Sequence, residues 1–236
     1  MTTPLNPGVR PTMAGEVGAT VDHVFMCCSV GGPEADSLTL LGLKEGAPNT
    51  HPRARGPAVG GSSSQNAYFE LLWVSDPMDA QAEAMLSTRL WERWSKRGPA
   101  ACPYGIVLGP AVGDVDPEPP FESWSYRLPY MPPTISIEVA RDILLTEPAL
   151  FYLGVQRDRA RAGQEPVEHN LPVRSLTGIT VWRPAGPGSE AVSALEAAGV
   201  MALRDADEYL MELSFDDANR GGRADLRPAI PSTLRW

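Results

Sequence analysis

The sequence is short of cysteines, of long apolar runs and of basic residues, and each shortage excludes a class of protein. Three cysteines among 236 residues cannot build a disulfide framework, which is typical of a protein of the reducing cytoplasm. No apolar stretch is long enough to span a bilayer, and residues 1–18 lack the apolar core of a secretory signal. We therefore expect a cytoplasmic protein that does not partner with a membrane.

The charge balance argues against nucleic acid as a partner. The chain has 20 lysine and arginine residues against 29 aspartate and glutamate residues, for a formal net charge of -9. A duplex-binding surface needs clustered basic side chains that displace counterions, and the sequence has no such cluster. The partners that remain are a small neutral or cationic molecule, a metal ion, or a second protein chain such as the other copy of a homodimer.

What the sequence does have is a series of short strand and helix patterns in a globular composition, 43% hydrophobic and 21% charged. The predicted strands cover residues 21–29, 66–74, 105–108, 134–140, 176–182, 200–203 and 209–215. The predicted helices cover residues 34–41, 87–95 and 189–198, with Gly42 and Gly199 at the expected C-caps and Ser189 at an N-cap.

The last third of the chain repeats the plan of the first third. Both contain a strand, a Gly/Pro turn, a helix, a glycine, and then a strand with an embedded glutamate. A long repeat that occurs only twice predicts a pseudo-symmetric pair of modules rather than a solenoid. Residues 114–133, rich in proline and aromatic residues, are predicted to be a rigid, irregular connector between the two halves.

Several segments of the first third resemble glyoxalase-like proteins of the vicinal-oxygen-chelate superfamily. The segments are residues 21–25 (Val-Asp-His-Val-Phe), 31–35 (Gly-Gly-Pro-Glu-Ala), 49–52 (Asn-Thr-His-Pro) and 66–77, with an extension over 90–105. The resemblance implies an α+β fold in which two pseudo-symmetric βαβββ modules form a cupped mixed sheet. Residues 1–20 would then be a flexible tail, residues 21–133 the first module plus connector, and residues 134–236 the second module.

The resemblance also implies a ligand inside the cup and, in many members, one divalent metal. One metal ligand comes from the first strand and one from the last strand of each module. Carried over to this chain, these positions are His23, Glu70, Gly178 and Glu212. Gly178 has no side chain, so the expected metal ligands are His23, Glu70 and Glu212, and a metal-free site stays an alternative.

Glu70 and His23 are the two residues whose surroundings suggest chemistry. Glu70 lies in an apolar strand, where an ionised carboxylate is costly unless it is paired or bound to a cation. His23 shares its strand face with Phe25 and Cys27. A histidine with a carboxylate suits zinc, manganese, iron or nickel, or serves as a catalytic pair. The alternatives are a solvent-facing or arginine-paired glutamate and a hydrogen-bonded core histidine.

Five further residues are candidates for ligand binding. His51 lies in a proline-rich loop that could cover the cup, and Ser136 and Glu138 share the polar face of a predicted strand. Trp124 and Tyr126 could line a pocket. The plainer interpretations are an exposed loop for His51, a solvent-facing strand for Ser136 and Glu138, and packing or a dimer contact for Trp124 and Tyr126.

Two functions follow from these predictions. The first is a glyoxalase-like enzyme of specialised metabolism, a lyase, an isomerase or a ring-forming catalyst, that acts on a small oxygenated molecule. A metal would assist it, or Glu70 would act as base without one. The second is a non-catalytic protein that sequesters an antibiotic-type molecule. The sequence has no nucleophile elbow, P-loop or dinucleotide fingerprint, which argues against hydrolase, ATP and hydride-transfer chemistry.

Overall fold

The computed structural model describes residues 18–46, 48–51, 54–59, 66–111, 113–114, 116–127, 135–155 and 169–236. The strands are β1 (Ala19–Cys27), β2 (Pro48–His51), β3 (Ala54–Val59), β4 (Tyr68–Leu72), β5 (Tyr104–Pro110), β6 (Ser123–Tyr126), β7 (Ile137–Ala140), β8 (Ala149–Leu153), β9 (Leu176–Arg183), β10 (Ala202–Asp205), β11 (Leu210–Phe215), β12 (Arg223–Asp225) and β13 (Ser232–Arg235). The helices are α1 (Ala35–Leu41), α2 (Pro77–Ala80), α3 (Glu83–Leu86), α4 (Leu90–Ser95) and α5 (Glu190–Ala197), with a 3₁₀ turn at Asp216–Ala218. Within these ranges, no helix is both long enough and apolar enough to cross a membrane.

The described strands up to β8 form an eight-stranded mixed sheet in the order β2-β3-β4-β1-β5-β8-β7-β6. The order is symmetric about its centre. On one side β1 pairs in parallel with β4, and on the other β5 pairs in parallel with β8, while β1 and β5 meet antiparallel. The first half, β1-α1-β2-β3-β4, is a βαβββ unit. The second half repeats its strand order, although the described residues between β5 and β6 contain no helix.

The remaining described strands form a five-stranded mixed sheet in the order β10-β9-β11-β13-β12. Helix α5 connects the parallel pair β9 and β10, and β11 lies antiparallel on the other side of β9. The two mixed sheets and few helices confirm the predicted α+β class with βαβββ-like modules. Sheet membership changes between Leu153 and Leu176, whereas the sequence placed a module boundary at 133/134. The division into a tail and two modules stays a prediction.

Local sequence signals account for the helix ends. The predicted helix at 34–41 is α1, and it ends at Gly42, whose φ of 103° is the left-handed conformation that favours glycine. The predicted helix at 189–198 is α5, and the Ser189 side chain accepts a hydrogen bond from the Val192 amide as an N-cap. The connector predicted at 114–133 is not wholly irregular, because β6 lies within it.

The two faces of the eight-stranded sheet bury different clusters. Side chains alternate along a strand, so on β1 the odd-numbered residues from His23 to Cys27 point to one face and the even-numbered ones from Val24 to Cys28 to the other. We call these the Phe25 face and the Met26 face. The Met26 face packs against the five-stranded sheet in one large apolar cluster. The Phe25 face is partly covered by Met85, Leu90 and Trp94 of α3 and α4.

Helix α4 is fixed in place by a buried arginine. Arg93 is 2% exposed. Its Nη1 donates to the carbonyl oxygens of Cys102 at 2.7 Å, Leu145 at 3.2 Å and Glu147 at 2.6 Å. The Glu147 carboxylate is also buried and accepts a hydrogen bond from the Ser189 amide at 2.8 Å. These contacts connect α4, the segment before β8 and the start of α5.

Gly105 on β5 provides the space that the Phe25 ring occupies. The two residues are direct cross-strand partners, and a Cβ added at Gly105 would overlap the ring. We expect Gly105→Ala to lower the free energy of unfolding by about 1–3 kcal/mol, because the core on this face must rearrange. The measurement is urea denaturation followed by tryptophan fluorescence. Gly154→Ala is the control, since nothing lies within 4 Å of its added Cβ; equal losses in the two variants would contradict the expectation.

Candidate functional site

The candidate site is built on β1, where His23 lies beside Asp22. His23 is 8% exposed and its Nδ1 lies 2.6 Å from Asp22 Oδ1. Adjacent residues of a regular strand point to opposite faces. Here the pairing of β1 with β5 shifts register between Val21 and His23, so the alternation is interrupted at Asp22. The carboxylate can therefore reach the ring of its own neighbour.

Strand β4 brings Glu70 to the other side of the imidazole. In the parallel pairing of β1 with β4, His23 is level with Tyr68 and Phe25 is level with Glu70. Glu70 Oε2 lies 3.4 Å from His23 Nε2, and each of the two side chains is 10% exposed. The Tyr68 ring stacks on the imidazole with a centroid distance of 4.4 Å and an interplanar angle of 18°. His23 therefore lies between the carboxylates of Asp22 and Glu70, and the Tyr68 ring stacks on its imidazole.

The charges around His23 decide its protonation state. Burial on its own lowers the pKa of the imidazole. The hydrogen bonds with Asp22 and Glu70, and the attraction of both carboxylates, outweigh burial and raise the pKa of His23 from 6.5 to about 9. At neutral pH the ring is an imidazolium, and Nδ1 and Nε2 both carry protons. The site then holds two carboxylates and one cation in a buried environment.

The structure brings together His23 and Glu70 and places Glu212 and Gly178 in the other sheet. Glu212 lies on β11 of the five-stranded sheet, where Thr233 Oγ1 at 3.4 Å and Arg235 Nη1 at 3.3 Å contact its carboxylate. Gly178 on β9 is paired with Ser214 of β11. The backbone of His51 belongs to β2, and its side chain lies outside the described part of the structure.

Ser136 and Glu138 form a hydrogen-bonded cluster with two serines of β6. The Glu138 carboxylate accepts from Ser136 Oγ at 3.0 Å, Ser125 Oγ at 2.6 Å and Ser123 Oγ at 3.1 Å. Three hydroxyl groups thus satisfy this carboxylate within the protein. The predicted role of Ser136 and Glu138 in ligand binding stays a prediction.

Trp124 and Tyr126 belong to the apolar cluster of the Phe25 face. Their rings meet edge to face at 6.0 Å. Tyr126 is buried, and its hydroxyl lies 2.6 Å from Met85 Sδ of α3. These contacts are with the protein itself, in agreement with the packing interpretation, while ligand contact stays a prediction.

Sequence reasoning missed Asp22 and Tyr68. The Asp-His pair at 22–23 was part of the motif that carried the resemblance, but strand alternation predicted that Asp22 would point away. Tyr68 was treated as one apolar residue of its strand. The spacing contains a signal for Tyr68. Side chains alternate along a strand, so a parallel strand that places Glu70 beside β1 brings Tyr68, two positions earlier, to the same face.

The donor set of the site does not fit a protein-held divalent metal. Structural and catalytic metal sites take three or four protein ligands. Here two donor atoms converge, His23 Nε2 and Glu70 Oε2, because Asp22 lies at the other ring nitrogen. On β5 the cross-strand partner of His23 is Val107, and on β8 the partner of Val107 is Phe151. Neither side chain has a donor atom for a metal. Among the described residues, no group of three or more His, Cys, Asp or Glu side chains could hold a metal ion.

A fusion protein is among the solved structures that are similar to this chain. No family model and no curated protein matches the sequence. Among solved structures, the chain is similar to a xylose isomerase-like TIM barrel/4-hydroxyphenylpyruvate dioxygenase fusion protein, with a TM-score of 0.48 and 11% sequence identity. The match covers 92% of this chain and 40% of that chain, so this chain spans less than half the length of the fusion protein.

Proposed function

We propose that the protein is a glyoxalase-like enzyme that moves a proton on a small oxygenated organic molecule. The buried chain Asp22–His23–Glu70 is the observation that carries this proposal. The Glu70 carboxylate offers a base, and the His23 imidazolium offers a hydrogen-bond donor 3.4 Å away from it. Proton abstraction next to a carbonyl group needs these two functions together. We also propose that the enzyme is cytoplasmic, forms a homodimer and acts in specialised metabolism.

Each residue of the site has one role in the proposed reaction. Glu70 removes a proton from the carbon next to the carbonyl group. The electron pair of that C–H bond becomes the C=C bond of the enolate, and the π pair of the carbonyl group moves onto its oxygen. His23 donates its Nε2 proton as a hydrogen bond to the oxygen as charge develops there. Asp22 keeps the opposite nitrogen paired and holds the ring in orientation. Glu70 becomes neutral in this step, which releases His23 from its contact with Glu70.

The second half of the reaction decides the class of enzyme. If the neutral Glu70 returns its proton to a different carbon, the product is an isomer of the substrate. If the enolate expels a group from the neighbouring carbon, that group leaves with the electron pair and takes the proton, which is a lyase reaction. If the enolate carbon attacks a second carbonyl carbon of the same molecule, the π bond of that carbonyl breaks, its oxygen takes the electron pair and the proton held by Glu70, and a ring forms.

The surroundings of the site favour a small and uncharged or cationic substrate. The three ionisable groups carry two negative charges and one positive charge, so an anionic substrate would meet repulsion in a buried site. Met85, Leu90 and Trp94 pack on the Phe25 face and cover part of it. We expect a neutral carbonyl compound of modest size.

Solvent hydrogen exchange tests the proposed reaction. Neutral ketones, lactones and β-hydroxy carbonyl compounds are incubated with the protein in D₂O, and loss of the proton next to the carbonyl group is followed by ¹H NMR. We expect catalysed exchange for at least one class, and a loss of about 100-fold in Glu70→Gln, because general base catalysis contributes at least this much. Glu92→Gln, a half-exposed carboxylate on α4, is the control and should match wild type. Exchange in Glu70→Gln at the wild-type rate would contradict the role of Glu70.

One observation favours the alternative of a non-catalytic binding protein. Trp124, Ile137 and Leu153 are half-buried hydrophobic side chains on the Phe25 face, on β6, β7 and β8, and the carboxylates of Asp22 and Glu70 lie on β1 and β4 of the same sheet. A sheet that has both apolar surface and carboxylates suits a cationic aromatic molecule. Tight binding of such a molecule, with no chemical change and no effect of Glu70→Gln, would favour sequestration over catalysis.

A further inference from the structure

We propose that the ring of His23, engaged by a carboxylate at each nitrogen, fills the place of a divalent metal and that the site works without one. This inference concerns the same side chains as the proposed function but does not depend on their catalytic role. Three features of the described residues support it. They are the carboxylate at each ring nitrogen, the lack of a metal-binding side chain across from His23 on β5 and β8, and the apolar surface next to the site.

A carboxylate lies at each nitrogen of His23. Asp22 Oδ1 lies 2.6 Å from Nδ1, and Glu70 Oε2 lies 3.4 Å from Nε2. A metal ion binds a neutral imidazole through a lone pair. It would therefore have to insert between His23 Nε2 and Glu70 Oε2, which would be its only side-chain ligands among the described residues.

Among the described residues, β5 and β8 offer no further donor on the side of His23 away from Glu70. On that side the cross-strand partner of His23 is Val107, and the partner of Val107 on β8 is Phe151. Phe25, Val107 and Phe151 belong to one apolar cluster, and Met85 and Leu90 pack against it. A metal held by His23 and Glu70 alone would face this apolar surface with its remaining positions, and the ordered water needed to fill them would be poorly accommodated there.

The inference has a consequence for substrate recognition. A metal ion could accept more than one oxygen of a substrate as ligands, whereas a single ring N–H donates to one. The site should therefore accept carbonyl compounds with one oxygen at the reacting centre. A second oxygen on the adjacent carbon should give no gain in affinity or in exchange rate.

Calorimetric titration with metal salts is the test. Untagged protein, freed of metal with chelator and dialysed, is titrated separately with zinc, manganese and nickel chloride, and with ferrous iron under anaerobic conditions. We expect wild type to show no stoichiometric binding that is lost in His23→Gln. The inference is overturned if wild type binds one equivalent of any of these metals and both His23→Gln and Glu70→Gln lose it.

A gain-of-binding variant makes the donor count itself testable. Val107→His places an imidazole directly across from His23, and Phe151→His is the second choice if the first variant does not keep the wild-type circular dichroism spectrum. We expect one equivalent of zinc or nickel to bind the variant. If wild type and both folded variants bind none, missing donors are not what excludes the metal, and the inference fails.

The two proposals fail in distinguishable ways. If exchange of substrate protons persists in excess chelator, both stand. If no carbonyl compound exchanges but wild type also binds no metal, the proposed function fails and the metal-independent site remains. If exchange occurs only after metal is added, the proposed acid–base role of Glu70 can survive while the inference about His23 does not.

Discussion

Replacement of Arg93 by leucine should lower the free energy of unfolding by about 3–5 kcal/mol, the largest loss we expect from one substitution in this chain. The guanidinium group is 2% exposed and has no carboxylate partner within ion-pair distance among the described residues. Burial lowers the pKa of Arg93, but an arginine stays charged in proteins. Its charge is stabilised by backbone carbonyl groups, of which Cys102 and Glu147 accept the two shortest hydrogen bonds.

The leucine side chain would fill most of the volume but would leave these carbonyl oxygens buried without their donor. Each such orphaned group costs about 1–3 kcal/mol. Equilibrium urea denaturation, followed by far-ultraviolet circular dichroism, measures the loss. Lys96→Leu at the C-terminal end of the same helix is the matched control, because the Lys96 side chain is 55% exposed and forms a surface ion pair with Glu92; its loss should stay under about 1 kcal/mol. Similar losses in the two variants would show that the buried carbonyl contacts of Arg93 contribute little.

Arg93→Lys separates charge from geometry at the same position. Lysine keeps the positive charge but presents one ammonium group on a flexible stem, whereas arginine presents a planar set of donors. We expect an intermediate loss of about 2 kcal/mol, because one or two of the carbonyl contacts can be restored. A lysine variant as stable as wild type would mean that charge alone, rather than the array of donors, holds α4 against Cys102 and the segment before β8.

The elements that sequence could predict are those with a local signal. The α1 and α5 helices have their own caps, and β1, β4 and β9 have long β-branched or aromatic runs. Strand β6 was missed because its surrounding prolines and aromatic residues are typical of a connector. Helices α2 and α3, four residues each, are too short for a periodicity of 3.6 residues to be visible.

The candidate site was predictable only where the resemblance pointed to it. His23 and Glu70 were expected on neighbouring strands, and the structure brings them to 3.4 Å. Asp22 was not predicted, since its approach depends on a register shift that arises between two distant strands. Arg93 is a similar case, because an arginine in a short amphipathic helix is normally exposed. Its burial depends on carbonyl groups about 50 residues further along the chain, which no local pattern reveals.

The charge on His23 should make the protein lose stability as the pH rises through the alkaline range. The pKa of His23 is about 9 in the folded protein and 6.5 in an unfolded chain. Between these values the folded state holds a proton that the unfolded state has released, so stability falls with increasing pH. The contribution is fully present below about pH 6.5 and is lost as the pH passes about 9. It amounts to about 3 kcal/mol.

Comparison with His23→Gln isolates this contribution. Both proteins are unfolded with urea at several values between about pH 6 and about pH 10, and the difference in unfolding free energy is plotted against pH. Burial raises the pKa of Cys27 to about 12, which also lowers stability at high pH, but this effect is common to both proteins and cancels. We expect the wild-type curve to fall by about 3 kcal/mol more than that of the variant. Parallel curves would mean that His23 is neutral in the folded protein, and the imidazolium would then be unavailable to stabilise an enolate.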